Sequence, residues 1–265
     1  MPRLTANGVA LNYALEGKAC APVVVFSNSL GTTHRMWDEV AAEVAKTCRV
    51  LRYDTRGHGG SEVVARSATI DDLALDLAGL LDGLGIGEVH LVGLSLGGMT
   101  GQCFAANYPN RVRTLTLMAT SAYLPPADGW QTRADTVRAK GMSAIADAVI
   151  ERWFTPNFAT SGGVRLADVR RELLAIDPEG YARACEVIRD MDLRQKLPSI
   201  SCPTLVIAGA DDPATPVVHS QTIASLIEGA RLVVLKNAAH LLAIEQPSAA
   251  SESLLTFLQL DAARR

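Results

Sequence analysis

Gly93-Leu94-Ser95-Leu96-Gly97 follows the apolar run Val89-His90-Leu91-Val92 and precedes the helix-compatible stretch Gly98 to Asn107. A serine flanked by glycines two positions away on each side, at a strand-to-helix junction, is the sequence form of a nucleophile elbow. The turn is so tight that those two glycine positions tolerate almost no side chain. The serine hydroxyl then stands proud of a sheet edge, beside a helix N-terminus whose amides can face developing negative charge. That arrangement suits acyl transfer through a serine nucleophile. Gly-x-Ser-x-Gly also occurs by chance, so the flanking elements and two downstream partners carry the reading.

On either side of the elbow, short apolar or β-branched runs alternate with helical stretches. The runs are Val23–Phe26, Val50–Tyr53, Val89–Val92, Leu115–Met118, Thr204–Ile207 and Leu232–Leu235. Continuous apolar strands separated by helices imply a parallel sheet covered on both faces. Asn7-Gly8, between Leu4-Thr5-Ala6 and Val9–Tyr13, signals a two-residue hairpin that adds an antiparallel pair. The sum is an eight-stranded, mostly parallel sheet. The clearest helix runs from Ile70 to about Leu84: Thr69 and Asp72 resemble a capping box, and Leu73, Leu77, Leu80, Leu81 and Leu84 form one stripe. From 121 to 196 the strand rhythm stops, and helical stretches are expected at 131–148, 167–175 and 181–189. An all-helical insertion between sheet strands reads as a cap over the site (121–196), on a core made of 1–120 and 197–265.

A serine hydroxyl is a poor nucleophile at neutral pH, so it needs a base, and the base needs an orienting carboxylate. Of five histidines, His34, His58, His90 and His219 read as loop, strand or helix-surface residues. His240, in Asn237-Ala238-Ala239-His240 just past the last strand, sits where a loop can return to the sheet's carboxyl edge. The carboxylate comes from Gly209-Ala210-Asp211-Asp212-Pro213, directly after the Thr204–Ile207 strand. Either aspartate could orient His240, the other serving the turn. Two backbone N–H groups must face the developing oxyanion. One is assigned to Leu96, after the serine, and the other to Leu30, in the loop Ser27-Asn28-Ser29-Leu30-Gly31.

Composition sets outer bounds. The 265 residues are 48% hydrophobic and 20% charged with a net charge of −3, enough for one large α/β domain with an insertion. Neither a basic footprint for nucleic acid nor an acidic tail is present. No apolar stretch approaches the roughly 18 residues that span a bilayer. Residues 1–8 lack the apolar core of a signal peptide, so a cytoplasmic location is expected. Five dispersed cysteines without Cys-x-x-Cys spacing fit reduced thiols and neither a disulfide frame nor a zinc site; Cys103 reads as a packing residue.

The elbow, the acid loop and the His240 loop, in the order Ser…Asp…His, resemble the α/β-hydrolase superfamily over nearly the whole chain. Three longer stretches are similar to the 3-oxoadipate enol-lactonases of protocatechuate and catechol breakdown: Ser27 to Trp37, Arg52-Tyr53-Asp54-Thr55-Arg56-Gly57-His58-Gly59, and Ile188-Arg189-Asp190-Met191-Asp192-Leu193. Asn28-Ser29 stands where the wider superfamily carries His-Gly, but Ser-Asn-Ser-Leu-Gly is itself what those lactonases look like. The family's aspartate lies three residues after the glycine and before a proline, which favours Asp212 over Asp211. The resemblance implies cofactor-free, metal-free hydrolysis of a small anionic lactone by Ser95, His240 and Asp212. The substrate's carboxylate calls for a cation. Residues 121–197 hold nine arginines and two lysines against eleven acids, so bulk charge singles out no site. Arg133 and Arg189 are the candidates, with Trp130 and Trp153 as lining residues. The rival readings are a broad esterase, a carbon–carbon bond hydrolase or a perhydrolase on the same fold, and a non-catalytic ligand receptor. Dehalogenases and epoxide hydrolases carry aspartate at the elbow, and Ser95 argues against them.

Overall fold

The computed structural model describes residues 1–263. Eight strands form one sheet: β1 (Arg3–Ala6), β2 (Val9–Glu16), β3 (Val23–Ser27), β4 (Arg49–Tyr53), β5 (Val89–Leu94), β6 (Val112–Met118), β7 (Thr204–Gly209) and β8 (Arg231–Leu235). Their order is β1-β2-β4-β3-β5-β6-β7-β8. Only the β1–β2 and β2–β4 pairs are antiparallel. Asn7 and Gly8 both take positive φ, 49° and 74°, as a tight turn matched to strand twist requires. Each expected run is a strand.

Eleven α-helices accompany the sheet among the described residues: α1 (Asp38–Val44), α2 (Ile70–Gly83), α3 (Leu96–Asn107), α4 (Ala127–Lys140), α5 (Ala146–Trp153), α6 (Pro156–Ser161), α7 (Gly163–Leu174), α8 (Pro178–Asp190), α9 (Val217–Leu226), α10 (Leu242–Glu245) and α11 (Pro247–Ala262). The capping box of α2 is present: Thr69 Oγ1 accepts from the Asp72 N–H and Asp72 Oδ2 accepts from the Thr69 N–H. Its buried stripe is Leu73, Leu77, Leu80 and Leu81, with Leu84 partly buried at the C-cap. No helix is long and apolar enough to cross a membrane among the described residues.

Between β6 and β7 lie α4 to α8 and no strand. The helix expected over 131–148 is two helices. Gly141, at φ 75°, ends α4 and sends its N–H to Val137 O, a left-handed stop that glycine favours. A second departure is α6. Thr155 caps it by accepting from the Phe158 N–H, and Pro156 fills its first position, a start signal present in the sequence.

β5 sits at the sheet's centre between β3 and β6, and all three run parallel. The loops after β3, β5, β7 and β8 therefore meet at one edge, where ligands gather in open α/β sheets. The elbow is built into that edge by contact as much as by chain direction. A Cβ on Gly93 would lie 2.2 Å from Gly97 O, and one on Gly97 would lie 2.1 Å from Ser27 O. The β5–α3 turn and the β3 loop are thus pressed backbone to backbone. Gly97→Ala is expected to cost about 3 kcal/mol or more through overpacking. For a chain of this size that is a fall of roughly 6–12 °C in melting temperature, which calorimetry would read. An unchanged melting temperature would mean the β3 loop yields freely.

Candidate active site

Ser95 occupies the junction of β5 and α3 at φ 54°, ψ −116°. Positive φ is costly for a residue with a Cβ and marks a position held by its surroundings. The hold is visible: the Ser95 N–H donates to Met118 O on β6, and Ser95 O accepts from Met99 N and from Thr120 Oγ1. The hydroxyl itself makes no hydrogen bond within the protein among the described residues. The Leu96 N–H is one of the four N-terminal amides of α3 that have no intrahelical partner.

Opposite the elbow runs the loop after β3. The Asn28 side chain anchors it, donating to Tyr53 O at 2.7 Å and accepting from Trp37 Nε1 at 3.0 Å. The Gly31 N–H donates to His58 Nε2 at 3.0 Å, while His58 Nδ1 lies 3.2 Å from Arg56 O. This network fits a neutral imidazole that donates through Nδ1 and accepts at Nε2. Burial lowers the pKa of His58, which keeps that acceptor free. The Thr32 N–H turns back to Ser29 O. Leu30 is left with an N–H that has no acceptor in the protein among the described residues.

His240 follows β8 and is 3% exposed. Its Nδ1 lies 2.9 Å from Asp212 Oδ2. Asp212 Oδ1 accepts from the Ala214 and Thr215 N–H groups at 2.8 and 3.0 Å, and Oδ2 also accepts from Thr215 Oγ1 at 2.7 Å. Burial pushes this carboxyl up, but the charge and hydrogen bond of His240 and the bonds from Thr215 outweigh it, bringing it down to about 2. Asp211 is exposed and gives its N–H to Ala238 O. The other histidines are engaged elsewhere: His34 with Asp54, His90 with Thr114 and His219 with Ser121. Cys103 is buried against Asp71, and its thiol is pushed up to about 12 by burial and that carboxylate. It packs, as expected.

Ser95 and His240 line one cavity of about 260 Å³ together with Leu30, Trp130, Arg133 and Trp153. No hydrogen bond joins the imidazole to the hydroxyl, and both line the same cavity. Arg133 lies over the Trp130 ring, 4.7 Å from its centroid, and its charge acts on the buried Tyr181 hydroxyl. Arg189 is not brought to this cavity. Asp190 takes its Nε and Nη2 at 2.7 and 2.6 Å, and Gln131 takes its Nη1. Its carboxylate partner is the next residue in the chain.

The cavity instead receives Arg152, at the end of α5. Neither Arg133 nor Arg152 has an acidic partner among the described residues. Burial first, and then the like charge of Arg133, lower the pKa of Arg152. Two guanidiniums share a half-buried space with no salt-bridge partner among the described residues, a disposition that favours an incoming anion. The sequence held one hint of this: Arg152 adjoins Trp153.

Comparison with known proteins fits this geometry. A profile described as "Alpha/beta hydrolase family" matches residues 24–252. The chain belongs to the α/β-hydrolase family. Among α/β-hydrolases it is 42% identical to 3-oxoadipate enol-lactonase 2 of Acinetobacter baylyi, over 93% of this chain and 92% of that protein. The crystal structure of the enol-lactonase from Burkholderia xenovorans LB400 superposes with a TM-score of 0.95 at 41% identity, covering 97% of this chain and all of that one. A thermophilic esterase from Thermogutta terrifontis, solved with malate bound, gives a TM-score of 0.93 at 29% identity and 98% coverage of both chains. The protein is thus a hydrolytic enzyme of this family, similar to enol-lactonases.

Proposed function

We propose that this α/β-hydrolase opens the 3-oxoadipate enol-lactone to 3-oxoadipate, in the breakdown of protocatechuate or catechol, through Ser95, His240 and Asp212. The observation that carries the reading is the pairing, in one small cavity, of the serine–histidine end with two arginines that lack acidic partners among the described residues. A lactone bearing a free carboxylate matches both halves. The enol-lactonase relatives support it, as does an esterase relative that binds malate, a dicarboxylate. The helices of 121–196 act as a cap on a core of 1–120 and 197–265, since they supply Trp130, Arg133, Arg152 and Trp153 to the lining.

In this mechanism Ser95 Oγ attacks the ring carbonyl while His240 Nε2 takes its proton, and Asp212 stabilises the resulting imidazolium. The N–H groups of Leu30 and Leu96 receive the oxyanion. The ring C–O bond then breaks. The leaving enolate takes the proton from His240 and tautomerises to the ketone, which makes return unfavourable. Water, losing a proton to His240, attacks the acyl-enzyme. Collapse restores Ser95 and frees the dicarboxylate.

The test follows loss of the enol-lactone's ultraviolet absorbance. Arg133→Met and Arg152→Met should each raise KM for the lactone about 10-fold or more, the value of a charge-assisted hydrogen bond. Hydrolysis of neutral phenyl esters should be spared. Equal losses on both substrates would mark the residue as structural, and no turnover by the wild-type protein would favour a ligand receptor.

A further inference from the structure

Glu245 ends α10, five positions after His240, and is 8% exposed. No arginine, lysine or histidine forms an ion pair with it among the described residues. Its carboxylate instead accepts three hydrogen bonds. Oε1 receives the Thr155 N–H at 3.0 Å and the Thr155 hydroxyl at 2.5 Å, and Oε2 receives the Ala239 N–H at 2.7 Å. On the other side of the histidine, the Leu241 N–H donates to Trp153 O at 3.0 Å. Both chain neighbours of His240 are therefore tied to residues 153–155, the strap between α5 and α6. The same strap begins at Trp153, which lines the cavity together with Arg152. A carboxylate removed from water without a countercharge is an expensive way to cap a helix. Its two oxygens reach two different segments, which a neutral cap would not do.

We propose that Glu245 is a positioning residue: it registers the His240 loop against the end of α5, so that the imidazole and the anion-facing Arg152 keep a fixed relation. The proposal rests on His240 being the base in the reading above. A glutamine at 245 keeps the size but must turn its NH₂ toward one of these backbone N–H donors, which opens one tie. Thr155→Val removes the hydroxyl bond to Glu245 together with the α6 cap from the Phe158 N–H, and Thr155→Ser retains both.

The experiment measures kcat and KM for the enol-lactone per folded molecule, with the folded fraction taken from near-ultraviolet circular dichroism. Glu245→Gln should lower kcat about 10- to 100-fold with KM within about twofold of wild type, the scale of misplacing a reacting group by an ångström or less. Thr155→Val should lower kcat several-fold, and Thr155→Ser should restore wild-type turnover. Wild-type kcat in both Glu245→Gln and Thr155→Val, or KM rising in step as kcat falls, would overturn the assignment. If Glu245→Gln does not fold, the Thr155 pair decides alone. His240→Ala separates the two claims: an active variant sinks the base reading, whereas an inactive one beside fully active Glu245 and Thr155 variants sinks only the positioning role.

Discussion

Ser95→Ala is expected to lower turnover of the enol-lactone by about 10⁴- to 10⁶-fold, the loss seen when the nucleophile of a serine triad is removed, and to leave the melting temperature within a degree or two of wild type. The separation follows from the geometry. Among the described residues the hydroxyl makes no hydrogen bond within the protein, whereas the backbone N–H and C=O of residue 95 do the structural bonding to Met118, Met99 and Thr120. Alanine keeps that backbone, and its Cβ meets the same positive φ as that of serine. Binding of the lactone should persist, because the arginines and tryptophans are untouched. The Leu30 and Leu96 amides, proposed above to receive the oxyanion, should remain to support a residual rate. Absorbance decay gives the rate, and acid-quenched intact-mass spectra give the chemistry: an acyl adduct on the wild type and none on the variant. Wild-type turnover by Ser95→Ala would remove the nucleophile from the scheme, and a water attack without an acyl-enzyme would replace it.

The elbow and the strands were legible because each has a local cause. Gly93 and Gly97 are forced because a Cβ at either position would come within about 2.2 Å of a backbone oxygen, and a parallel strand buried on both faces must read as an apolar run. Asp211 and Asp212 could not be separated from local chemistry, since both follow Gly209 in the same turn. In space the Ala214 and Thr215 amides seat one carboxylate and leave the other exposed. Arg152 was not legible. Which face of a short helix meets a cavity depends on how α5 packs on α7 and the His240 loop, and nine arginines in the segment obscure one. Arg189 misled for the converse reason: it lies in a stretch similar to the enol-lactonases, yet Asp190 claims it. Gly141 and the Thr155-Pro156 pair, by contrast, were local signals for a helix stop and a helix start.

Asp212→Asn is expected to lower kcat about 10⁴-fold, the effect of putting the base in the wrong tautomer, with little change in KM. Oδ1 of Asp212 already accepts two backbone N–H bonds, so an asparagine keeps its carbonyl there and turns its NH₂ toward His240 Nδ1. That nitrogen must then accept, which moves the ring proton to Nε2, facing Ser95, where an acceptor is needed. The Thr215 hydroxyl can accept from the new NH₂, so the loop has no reason to unfold. The wild-type carboxyl gives a second readout. Its native pKa of about 2 lies below the usual 3.8, so between those values the unfolded chain binds more protons than the native one, and stability rises with pH. The contribution, about 2 kcal/mol for a shift of this size, is complete above roughly pH 5 and disappears as pH falls through 2. The melting temperature of wild type should therefore fall toward that of Asp212→Asn as pH is lowered from 5 to 2, and inflections of the rate above pH 4 belong to other groups. Parallel acid denaturation curves for the two proteins would show that Asp212 does not hold the depressed pKa on which its pairing with His240 depends.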